Sequence, residues 1–377
     1  MEQQILDAAA AAAGLPGLRP VAHLKGHARN QVWRVSDGDT TYVVKAYSDL
    51  DGEGWAREPA ALEALAGSAA APHLLGVSED PRLVVMEDLG RASPVADALL
   101  ARDPARAEVA LEGWVDALAR LHLATDDGVL STFARRLGAR SPHLGTHWMP
   151  VHLAAAARTL AAHAEQVGVL VPDGVADTLG DLASGFAVPT VALSPGDTCP
   201  DNNVVLDDAV RLLDFEGAEI RHPAWDLAYL RVPWPSCWCA WRLPSDLADR
   251  LVARYRDQVR PALADVGTDA FRADTFRADT FRADLDRATL GWCLVSAGWF
   301  LPGALDEAIA DAPLGLGPGR RTTLMHRLWL AAHLPVGDDL GDLTAYARDL
   351  YRALGRRWGE PSLLLAPAFR DDDIAIP

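Results

Sequence analysis

Asp197, Asn202 and Asp214 carry oxygen-bearing side chains within one short stretch of the chain. Transfer of a phosphoryl group to an alcohol needs a carboxylate that orients the hydroxyl and takes its proton, together with oxygen ligands that hold magnesium against the phosphates. Magnesium binds few protein groups and keeps several waters, so one amide and one carboxylate suit it. The spacing therefore predicts that Asn202 and Asp214 meet at one magnesium ion.

A short hairpin is the element that would position these two ligands. Residues 204–206 are apolar, an acidic turn follows at Asp207, and residues 210–213 are mostly apolar again. This pattern predicts a strand, a turn and a return strand. Because a hairpin brings its two ends together, Asn202 before the first strand and Asp214 after the second can reach the same ion.

Four motifs occur in order: Gly196-Asp197, Pro200-Asp201-Asn202, Leu213-Asp214-Phe215 and His222-Pro223-Ala224-Trp225-Asp226-Leu227-Ala228. As an ordered set they resemble the aminoglycoside phosphotransferase and choline kinase-like family, which has a protein-kinase-like fold. The usual signature of that family is His-Gly-Asp-x-x-x-x-Asn, then Ile-Asp-Phe or Ile-Asp-Trp, then Asp-Pro-x-x-Asp-Leu-Ala.

The resemblance implies a role for each matching residue. Asp197 would be the catalytic base, Asn202 and Asp214 the magnesium ligands, and Asp226 the residue that braces the catalytic loop from the next helix. Pro195 stands where the family has His, so the support which that His gives must come from elsewhere. His222 stands where the family often has Asp, and neither departure removes a group that phosphoryl transfer requires.

The segment before these motifs resembles a nucleotide-binding lobe. Of the 35 Lys and Arg residues only two are Lys, and Lys45 follows the strand-like Tyr42-Val43-Val44 in the manner of the third-strand lysine of kinases. Kinases use such a compact charge against nucleotide phosphates. A helix over residues 55–65 would carry Glu58 as the partner of Lys45, with Glu63 as the rival candidate.

The predicted strands of this lobe cover residues 21–25, 31–35, 41–47, 72–77 and 82–87. By resemblance, Met86, Glu87 and Leu89 lie in the hinge whose backbone holds adenine. Pro59 is tolerable in the predicted helix only near its first turn. After Gly90 the chain becomes rich in Ala and Leu with helical periodicity. We therefore predict an α+β, two-lobed fold, with a nucleotide-binding lobe over residues 1–90 and a catalytic and substrate-binding lobe over residues 91–377.

Two regions of the second lobe are candidates for the acceptor site. Residues 230–244 are rich in Trp, Cys and Pro, so Trp234 and Trp238 would form either a substrate pocket or a well-packed cap over the core. Asp306 and Glu307 would either face a cationic acceptor or begin a solvated helix. The repeat of Phe-Arg-Ala-Asp-Thr that starts at residue 271 matches neither helix nor strand period, and we interpret it as a surface duplication without a function of its own.

The whole composition narrows the function classes further. The formal charge is -17 across 377 residues, which argues against nucleic-acid binding and would attract a cationic substrate. The four Cys do not suggest a disulfide framework, and a zinc site made from Cys199, Cys237, Cys239, Cys293 or His222 lacks the common Cys-x-x-Cys spacing. Without a signal peptide or a membrane-length apolar run, the sequence predicts a cytoplasmic protein with no membrane partner.

The expected function is ATP- and magnesium-dependent phosphorylation of a hydroxyl group. The acceptor would be a small hydroxylated molecule, such as an aminoglycoside-like antibiotic, an amino sugar or another metabolite, and the acidic chain suits a cationic one. The alternative is a nucleotide-binding pseudokinase with a regulatory role, which Pro195 favours and the intact Asp197, Asn202 and Asp214 oppose.

Overall fold

A computed structural model of the chain describes residues 3–26, 29–48, 51–186, 190–207, 209–237, 239–264, 278–310 and 317–370. Trp238 and residues 271–277 of the repeated segment lie outside these residues, so the structure does not address the predictions made for them. The last unit of the repeat, residues 281–284, is helical, and Phe281 and Asp284 are buried, so the prediction of a surface duplication was wrong there.

A five-stranded antiparallel sheet forms the first part of the chain. Its strands are β1 (Arg19–Gly26), β2 (Asn30–Ser36), β3 (Thr41–Tyr47), β4 (Leu74–Glu79) and β5 (Arg82–Glu87). They lie in the order β1-β2-β3-β5-β4, so β3 is central. All five predicted strands are present, although β4 begins and ends two residues later than predicted. The division into lobes at residue 90 stays a prediction.

The two faces of β3 have different environments because side chains alternate along a strand. Val44 and Ala46 are buried on the face that packs against helix α1 (Gln3–Ala13). Val43 and Lys45 point to the opposite face and line a cavity there. The alternation of the sequence thus places Lys45 on the side of the sheet that faces the later part of the chain.

Helix α2 (Gly52–Ala64) follows β3 and begins earlier than the predicted residues 55–65. Asp51 caps it, because its carboxylate accepts a hydrogen bond from the Gly54 N–H at 3.2 Å. The early start puts Pro59 in the helix interior, so the prediction of a first-turn position was wrong. Pro59 removes one helical hydrogen bond, and the burial of the helix from Gly54 to Leu62 offsets that loss.

Helices make up most of the remaining chain. They are α3 (Val95–Leu100), α4 (Pro104–Leu123), α5 (Asp127–Arg140), α6 (Met149–Ala164), α7 (Val175–Asp181), α8 (Ala224–Leu227), α9 (Ser245–Ala264), α10 (Ala278–Leu305), α11 (Arg320–His333) and α12 (Gly341–Trp358).

Helix α10 is the central helix of this part and packs on α6, α8 and α11. Its segment Thr280–Leu305 is long and apolar enough to cross a membrane by length and composition alone. However, 72% of the apolar window is buried inside the protein, and the core helix of a water-soluble fold passes the same test. Packing against neighbouring helices is therefore a sufficient reason for its composition.

Two small sheets carry the segments that contain the motifs. Strands β6 (Ser93–Pro94), β8 (Asn203–Val205) and β9 (Val210–Leu212) form one sheet, in which β8 and β9 make the predicted hairpin. Strands β7 (Ala192–Ser194) and β10 (Glu219–Arg221) pair antiparallel in the other. The chain leaves β7 toward Asp197 and leaves β10 toward Asp226, so this pairing brings the two segments side by side.

Candidate active site

A cavity of about 400 Å³ lies between the first sheet and the β8–β9 hairpin. Lys45 of β3 lines it from the sheet, Glu58 from α2, and Asn202 and Asp214 from the two ends of the hairpin. These four polar residues were predicted from the sequence, and the fold brings them to one cavity from three separate elements. The predicted hinge residues that also line this cavity are Met86, Glu87 and Leu89.

Lys45 is buried among carboxylates. Its Nζ lies 2.5 Å from Asp214 Oδ1 and 2.6 Å from Glu58 Oε2. The same Nζ lies 3.1 Å from Glu216 Oε2. Burial alone would lower the pKa of this lysine, but the charges of Asp214 and Glu58 outweigh burial and raise its pKa well above the ordinary value. The ammonium group therefore stays charged and connects β3, α2 and the hairpin end.

Glu58, rather than Glu63, is the glutamate of α2 that contacts Lys45. Five residues on a helix correspond to a rotation of about 500°, so the two side chains point in different directions. Glu63 instead pairs with Arg136 at 3.1 Å and with Arg140 at 2.7 Å, both on α5. The geometry therefore resolves the alternative that the sequence left open about the partner of Lys45.

The close of the hairpin sets the position of Asn202 and Asp214. The Leu213 N–H donates to the Asn202 carbonyl oxygen at 2.9 Å, directly before Asp214. Asp214 has φ 61°, in the left-handed region that residues other than glycine rarely adopt. Such backbone strain persists where the surrounding structure enforces it, and it occurs often at functional sites. The tight 3-10 turn Phe215–Gly217 follows at once.

Glu216 is a site residue that the sequence analysis missed. Besides its contact with Lys45, it accepts a hydrogen bond from the Asn30 side chain at 2.9 Å. Burial and the neighbouring Asp214 carboxylate raise the pKa of Glu216 to about 7, against the opposing effect of Lys45. A signal was available, because Glu216 occupies the third position of the Asp-Phe-Gly motif of protein kinases, where glycine is usual.

The donor chemistry of the cavity fits magnesium. Asn202 offers an amide oxygen and Asp214 a carboxylate, and magnesium prefers oxygen ligands of this kind. Carboxylate oxygens of Glu58, Asp214 and Glu216 also lie within 4.8 Å of one another. A cluster of acids so close together, with Lys45 as the counter-charge, is suited to a hard divalent cation.

Asp197 lies in the loop that follows β7 and is held by two neutral donors. Ser236 Oγ donates to Asp197 Oδ1 at 2.7 Å, and the Cys199 N–H donates to the same oxygen at 3.1 Å. Burial raises the pKa of Asp197 to about 6, with smaller contributions from the Asp214 and Asp201 charges, while the two hydrogen bonds oppose the rise. Asp197 is thus ionised at neutral pH and close to its titration range.

Arg221, at the end of β10, joins the Asp197 loop to Asp226. Its guanidinium donates to the Gly196 carbonyl oxygen at 3.1 Å and to Glu219 at 3.0 Å, and it also contacts the Asp226 carboxylate. Ser194 Oγ donates to Asp226 at 2.8 Å. Burial would raise the pKa of Asp226, but the Arg221 charge and the hydrogen bonds outweigh burial and lower the pKa to about 2. Asp226 therefore stays ionised beneath the loop.

The position of Pro195 shows how this chain differs from the family signature. A proline side chain cannot donate a hydrogen bond, and here Arg221 donates to the next carbonyl of the loop instead. His122, from α4, adds a second contact from below, because its Nε2 lies 3.0 Å from Asp226 Oδ2. Gly196 has φ 82°, and a Cβ there would collide with the Gly217 carbonyl, so this position requires glycine.

His222 has a packing role in the structure. Its ring stacks on Phe186 with the ring centroids 4.3 Å apart, and its Nδ1 lies 3.1 Å from the Ala224 N–H. Burial lowers the pKa of His222 to about 3, so the ring is neutral. Through its Nδ1 the neutral ring accepts a hydrogen bond from the N–H of Ala224, the first residue of the short helix α8.

The Trp-rich segment is part of the core where the structure describes it. Trp234 is completely buried, with its ring edge-to-face against Trp114 and near Tyr229. That position contradicts the prediction that Trp234 lines a substrate pocket, because no part of its side chain is accessible. The aromatic composition of the segment was compatible with either a substrate pocket or a packed cap over the core. The complete burial of Trp234 supports the packed cap at this residue.

Asp306 and Glu307 are exposed and already have local partners. The Asp306 carboxylate accepts a hydrogen bond from the Ala308 N–H at 3.0 Å. Glu307 pairs with Arg321 at 2.6 Å and with Arg357 at 3.2 Å. A cationic acceptor would have to displace two guanidinium groups from Glu307, so the geometry favours a solvated position. Both residues follow the end of α10 at Leu305, so the prediction that they begin a helix was wrong.

The cysteines do not assemble in the combination considered for zinc. Cys199 and Cys237 form a disulfide with their Cα atoms 5.8 Å apart, and the Cys239 sulfur lies within 4.8 Å of both of their sulfurs. Cys293 is buried in α10. Burial raises the pKa of its thiol to about 12, although the Arg327 guanidinium opposes the rise. His222 lies against Asp284 at 3.5 Å. The composition did not suggest a disulfide framework, and the Cys199–Cys237 pair departs from that expectation.

The sequence of this chain matches a protein-family model. The model, described as the Phosphotransferase enzyme family, matches residues 20–266. The chain belongs to this family. The matched part of the chain spans the first sheet, the Asp197 loop and the β8–β9 hairpin, and it confirms the resemblance read from the ordered motifs. No curated protein sequence matches this chain significantly.

Solved structures of three other proteins resemble this chain in fold. A choline/ethanolamine kinase family protein from Mesorhizobium loti is 16% identical, with a TM-score of 0.52 over 89% of this chain and 94% of that chain. A Ralstonia eutropha protein assigned to the aminoglycoside phosphotransferases is 15% identical, with a TM-score of 0.53 over 89% and 94%. An ethanolamine kinase from Plasmodium vivax is 11% identical, with a TM-score of 0.50 over 90% and 83%. The predicted two-lobed, protein-kinase-like α+β fold is thereby confirmed.

Proposed function

We propose that this protein transfers the terminal phosphoryl group of ATP to a hydroxyl of a small molecule, with magnesium as the cofactor. One observation carries the proposal: Lys45 contacts both Glu58 and Asp214 at a cavity that Asn202 also lines. A lysine, a bracing glutamate and a pair of oxygen ligands are the parts that position nucleotide phosphates in kinases. Asp197 lies in the adjoining loop, within electrostatic range of Asp214.

On the nucleotide side, each residue has a distinct task. Lys45 binds the phosphates as a permanently charged group, and Glu58 holds it in place. Met86 and Val43 offer apolar walls for the base, and the backbone of the segment from Met86 to Leu89 supplies hydrogen bonds to adenine. Magnesium, held by Asn202 and Asp214, would neutralise charge on the phosphates.

On the acceptor side, Asp197 orients the hydroxyl and takes its proton. Ser236 and the Cys199 N–H both contact Oδ1. We therefore assign Oδ2 to the acceptor hydroxyl, because the first oxygen already has two donors. With a pKa of about 6, Asp197 is ionised at neutral pH and basic enough to accept a proton as the new bond to phosphorus forms.

The acceptor class that we propose is a hydroxylated organic cation. The fold relatives include proteins named as choline/ethanolamine and ethanolamine kinases and one assigned to the aminoglycoside phosphotransferases, which are all named for cationic alcohols. The net charge of -17 favours the approach of such molecules. Two carboxylates, Asp197 and Asp201, lie in the segment between β7 and β8. An ATP-dependent reaction of this kind suits a cytoplasmic enzyme.

A screen for acceptor-stimulated ADP release tests the proposal. The panel contains aminoglycosides, choline, ethanolamine and amino sugars, with ATP and magnesium present throughout. We expect one class to stimulate ADP release, and Asp197→Ala to abolish the stimulation while ATP still binds. Nucleotide binding without turnover for any acceptor would instead favour the regulatory pseudokinase alternative. Turnover that persists in Asp197→Ala would contradict the role of Asp197.

A further inference from the structure

Two cysteines lie at the two groups that donate hydrogen bonds to Asp197. Cys199 supplies the backbone N–H that donates to Asp197 Oδ1 at 3.1 Å. Cys237 directly follows Ser236, whose hydroxyl donates to the same oxygen at 2.7 Å. The two positions are 38 residues apart in sequence, and their Cα atoms are 5.8 Å apart, a separation that suits a disulfide. A bond between them therefore ties both donors of Asp197 to each other.

We propose that Cys199 and Cys237 form an oxidation site that controls the acceptor side of the reaction. The bridged form fixes Ser236 and the Cys199 N–H on Asp197, and the reduced form releases the Ser236 segment from the Asp197 loop. The contacts of Lys45 with Glu58 and Asp214 on the nucleotide side involve neither cysteine. This inference rests on the proposed role of Asp197 for its effect on turnover, but not for the formation of the bond.

The chemistry of bridge formation needs an oxidant, and a small-molecule disulfide is the class that we propose. The Cys237 thiolate attacks one sulfur of that disulfide, which forms a mixed disulfide and expels one thiolate. The Cys199 thiolate then attacks the Cys237 sulfur, closes the bridge and expels the second thiolate. The two protons lost by the protein thiols go to the two expelled thiolates. The protein is oxidised by two electrons and the small disulfide becomes two thiols.

The surroundings of Cys199 and Cys237 slow thiol–disulfide exchange at the bridge, so the bridge should persist in the absence of an added reductant. Cys199 and Cys237 are only 2% and 6% exposed, although the Ser236 beside Cys237 is at the surface. Cys239 is the nearest group able to attack the bridge, but burial and the Asp201 and Asp197 charges raise its pKa far above the ordinary value. Cys239 therefore remains a thiol and does not exchange readily, since only the thiolate attacks a disulfide.

Asp201 distinguishes the two redox states. Its Oδ1 lies 3.6 Å from the Cys237 sulfur, within reach of an S–H donor. The reduced Cys237 thiol is able to donate to this carboxylate, whereas the bridged sulfur has no proton to donate. This hydrogen bond is therefore available only in the reduced state.

Differential alkylation of the full chain tests bond formation without any assay of activity. The chain is equilibrated in buffers with a series of ratios of reduced to oxidised glutathione, quenched by alkylation, and mapped by peptide mass. We expect a linked peptide pair that contains Cys199 and Cys237, absent from Cys199→Ser and Cys237→Ser and retained in the control Cys293→Ala. Free thiols at both positions in the most oxidising buffer would overturn the proposal. Thiols protected by co-purifying zinc, and released by a chelator, would overturn it as well.

Turnover and nucleotide binding then test control of the acceptor side. We expect acceptor-dependent ADP release near pH 6 to fall a few-fold on reduction, as it should when Ser236 no longer donates to Asp197, while the Kd for ATP stays constant. Cys199→Ser should show the low rate in both buffers. Equal turnover of the bridged and reduced chain would overturn the control that we propose. If no acceptor supports turnover, the slow hydrolysis of ATP by water is measured instead, and the alkylation result still decides whether the bond forms.

Discussion

The nucleotide side and the acceptor side of the candidate active site hold their acidic groups in different ways. On the nucleotide side, Glu58 and Asp214 surround the buried ammonium of Lys45 at 2.5–2.6 Å. On the acceptor side, the groups that contact Asp197 are the Ser236 hydroxyl and a backbone N–H, both neutral. Charge balance therefore fixes the first side, whereas hydrogen bonds from a nearby segment fix the second.

This difference has a chemical reason. A group that binds phosphates must keep its charge, and the carboxylates raise the pKa of Lys45. A group that accepts a proton must instead have a pKa near the working pH. A cation beside Asp197 would lower the pKa of its carboxylate and weaken it as a base, whereas neutral donors leave that pKa at about 6. Substitutions on the two sides should therefore change different kinetic quantities.

The largest effect is expected from Asp197→Asn. The asparagine keeps the shape of the side chain but cannot take the proton, so turnover should fall by about 100- to 10,000-fold. The Kd for ATP should stay unchanged, because nucleotide contacts lie on the other side. Asp207→Asn, in the exposed turn of the β8–β9 hairpin, is the matched control. Single-turnover kinetics and nucleotide titration measure the two quantities, and a parallel loss of both would erase the distinction between the two sides.

Arg221→Met tests the buried network beneath the acceptor side. Removal of this guanidinium leaves the Glu219 and Asp226 carboxylates buried without their partner, which should cost about 3–5 kcal/mol in the free energy of unfolding. Arg250→Met is the control, because Arg250 pairs with Glu108 and Asp246 at the surface and its loss should change stability little. Denaturant unfolding measures the free energy of unfolding of both variants. Equal losses would show that Arg221 is not part of a buried support.

Glu58→Gln should produce a smaller loss, confined to the nucleotide side. Glutamine keeps a hydrogen-bond acceptor near Lys45 but removes the charge, so ATP affinity should weaken about tenfold. Glu63→Gln is a close control on the same helix, since Glu63 pairs with Arg136 and Arg140 rather than with Lys45. Calorimetric titration of ATP with magnesium measures the effect. Matched affinities for the two variants would remove the assignment of Glu58 as the brace of Lys45.

The sequence predicts the nucleotide side better than the acceptor side, and the reason is physical. Lys45 lies in a strand pattern that resembles the third strand of kinases, and the same resemblance implies a glutamate partner on the next helix, although the sequence left Glu58 and Glu63 as alternatives. The hairpin likewise places Asn202 and Asp214 through contacts between residues close in sequence. Ser236 reaches Asp197 from a segment 39 residues away. No local pattern encodes such a contact, and only the packing of the intervening chain determines it.

Arg221 and Trp234 are two further residues whose roles the local sequence does not determine. Arg221 directly follows the apolar Ile220 in the sequence, a position compatible with a buried charge. Its hydrogen bond to the Gly196 carbonyl oxygen, however, depends on the pairing of β10 with β7. Trp234 belongs to an aromatic run that suits a pocket wall or a core, and the composition of the run is the same in both cases. Pro59 adds a third example, because the cap at Asp51 sets the start of α2 and thus the position of the proline within it.

The smallest expected effect concerns pH and Ser236. Asp197 has to be ionised to take a proton, so kcat/KM should fall as the pH drops through the pKa of Asp197, near 6. The Ser236 hydroxyl stabilises the ionised form, because it donates to the carboxylate, and its removal in Ser236→Ala should raise that pKa and move the acid limb to higher pH.

Ser236→Ala should therefore lose a few-fold in rate near pH 6 and little at pH 8, at one fixed redox state. Ser236→Thr keeps the hydroxyl and should retain the position of the acid limb, so it separates loss of the donor from disturbance of the segment. A pH profile of kcat/KM for the three proteins measures the shift. An equal loss of rate at every pH, with the limb in place, would mean that Ser236 positions Asp197 without tuning it, and the acceptor side would then resemble the nucleotide side in depending on placement alone.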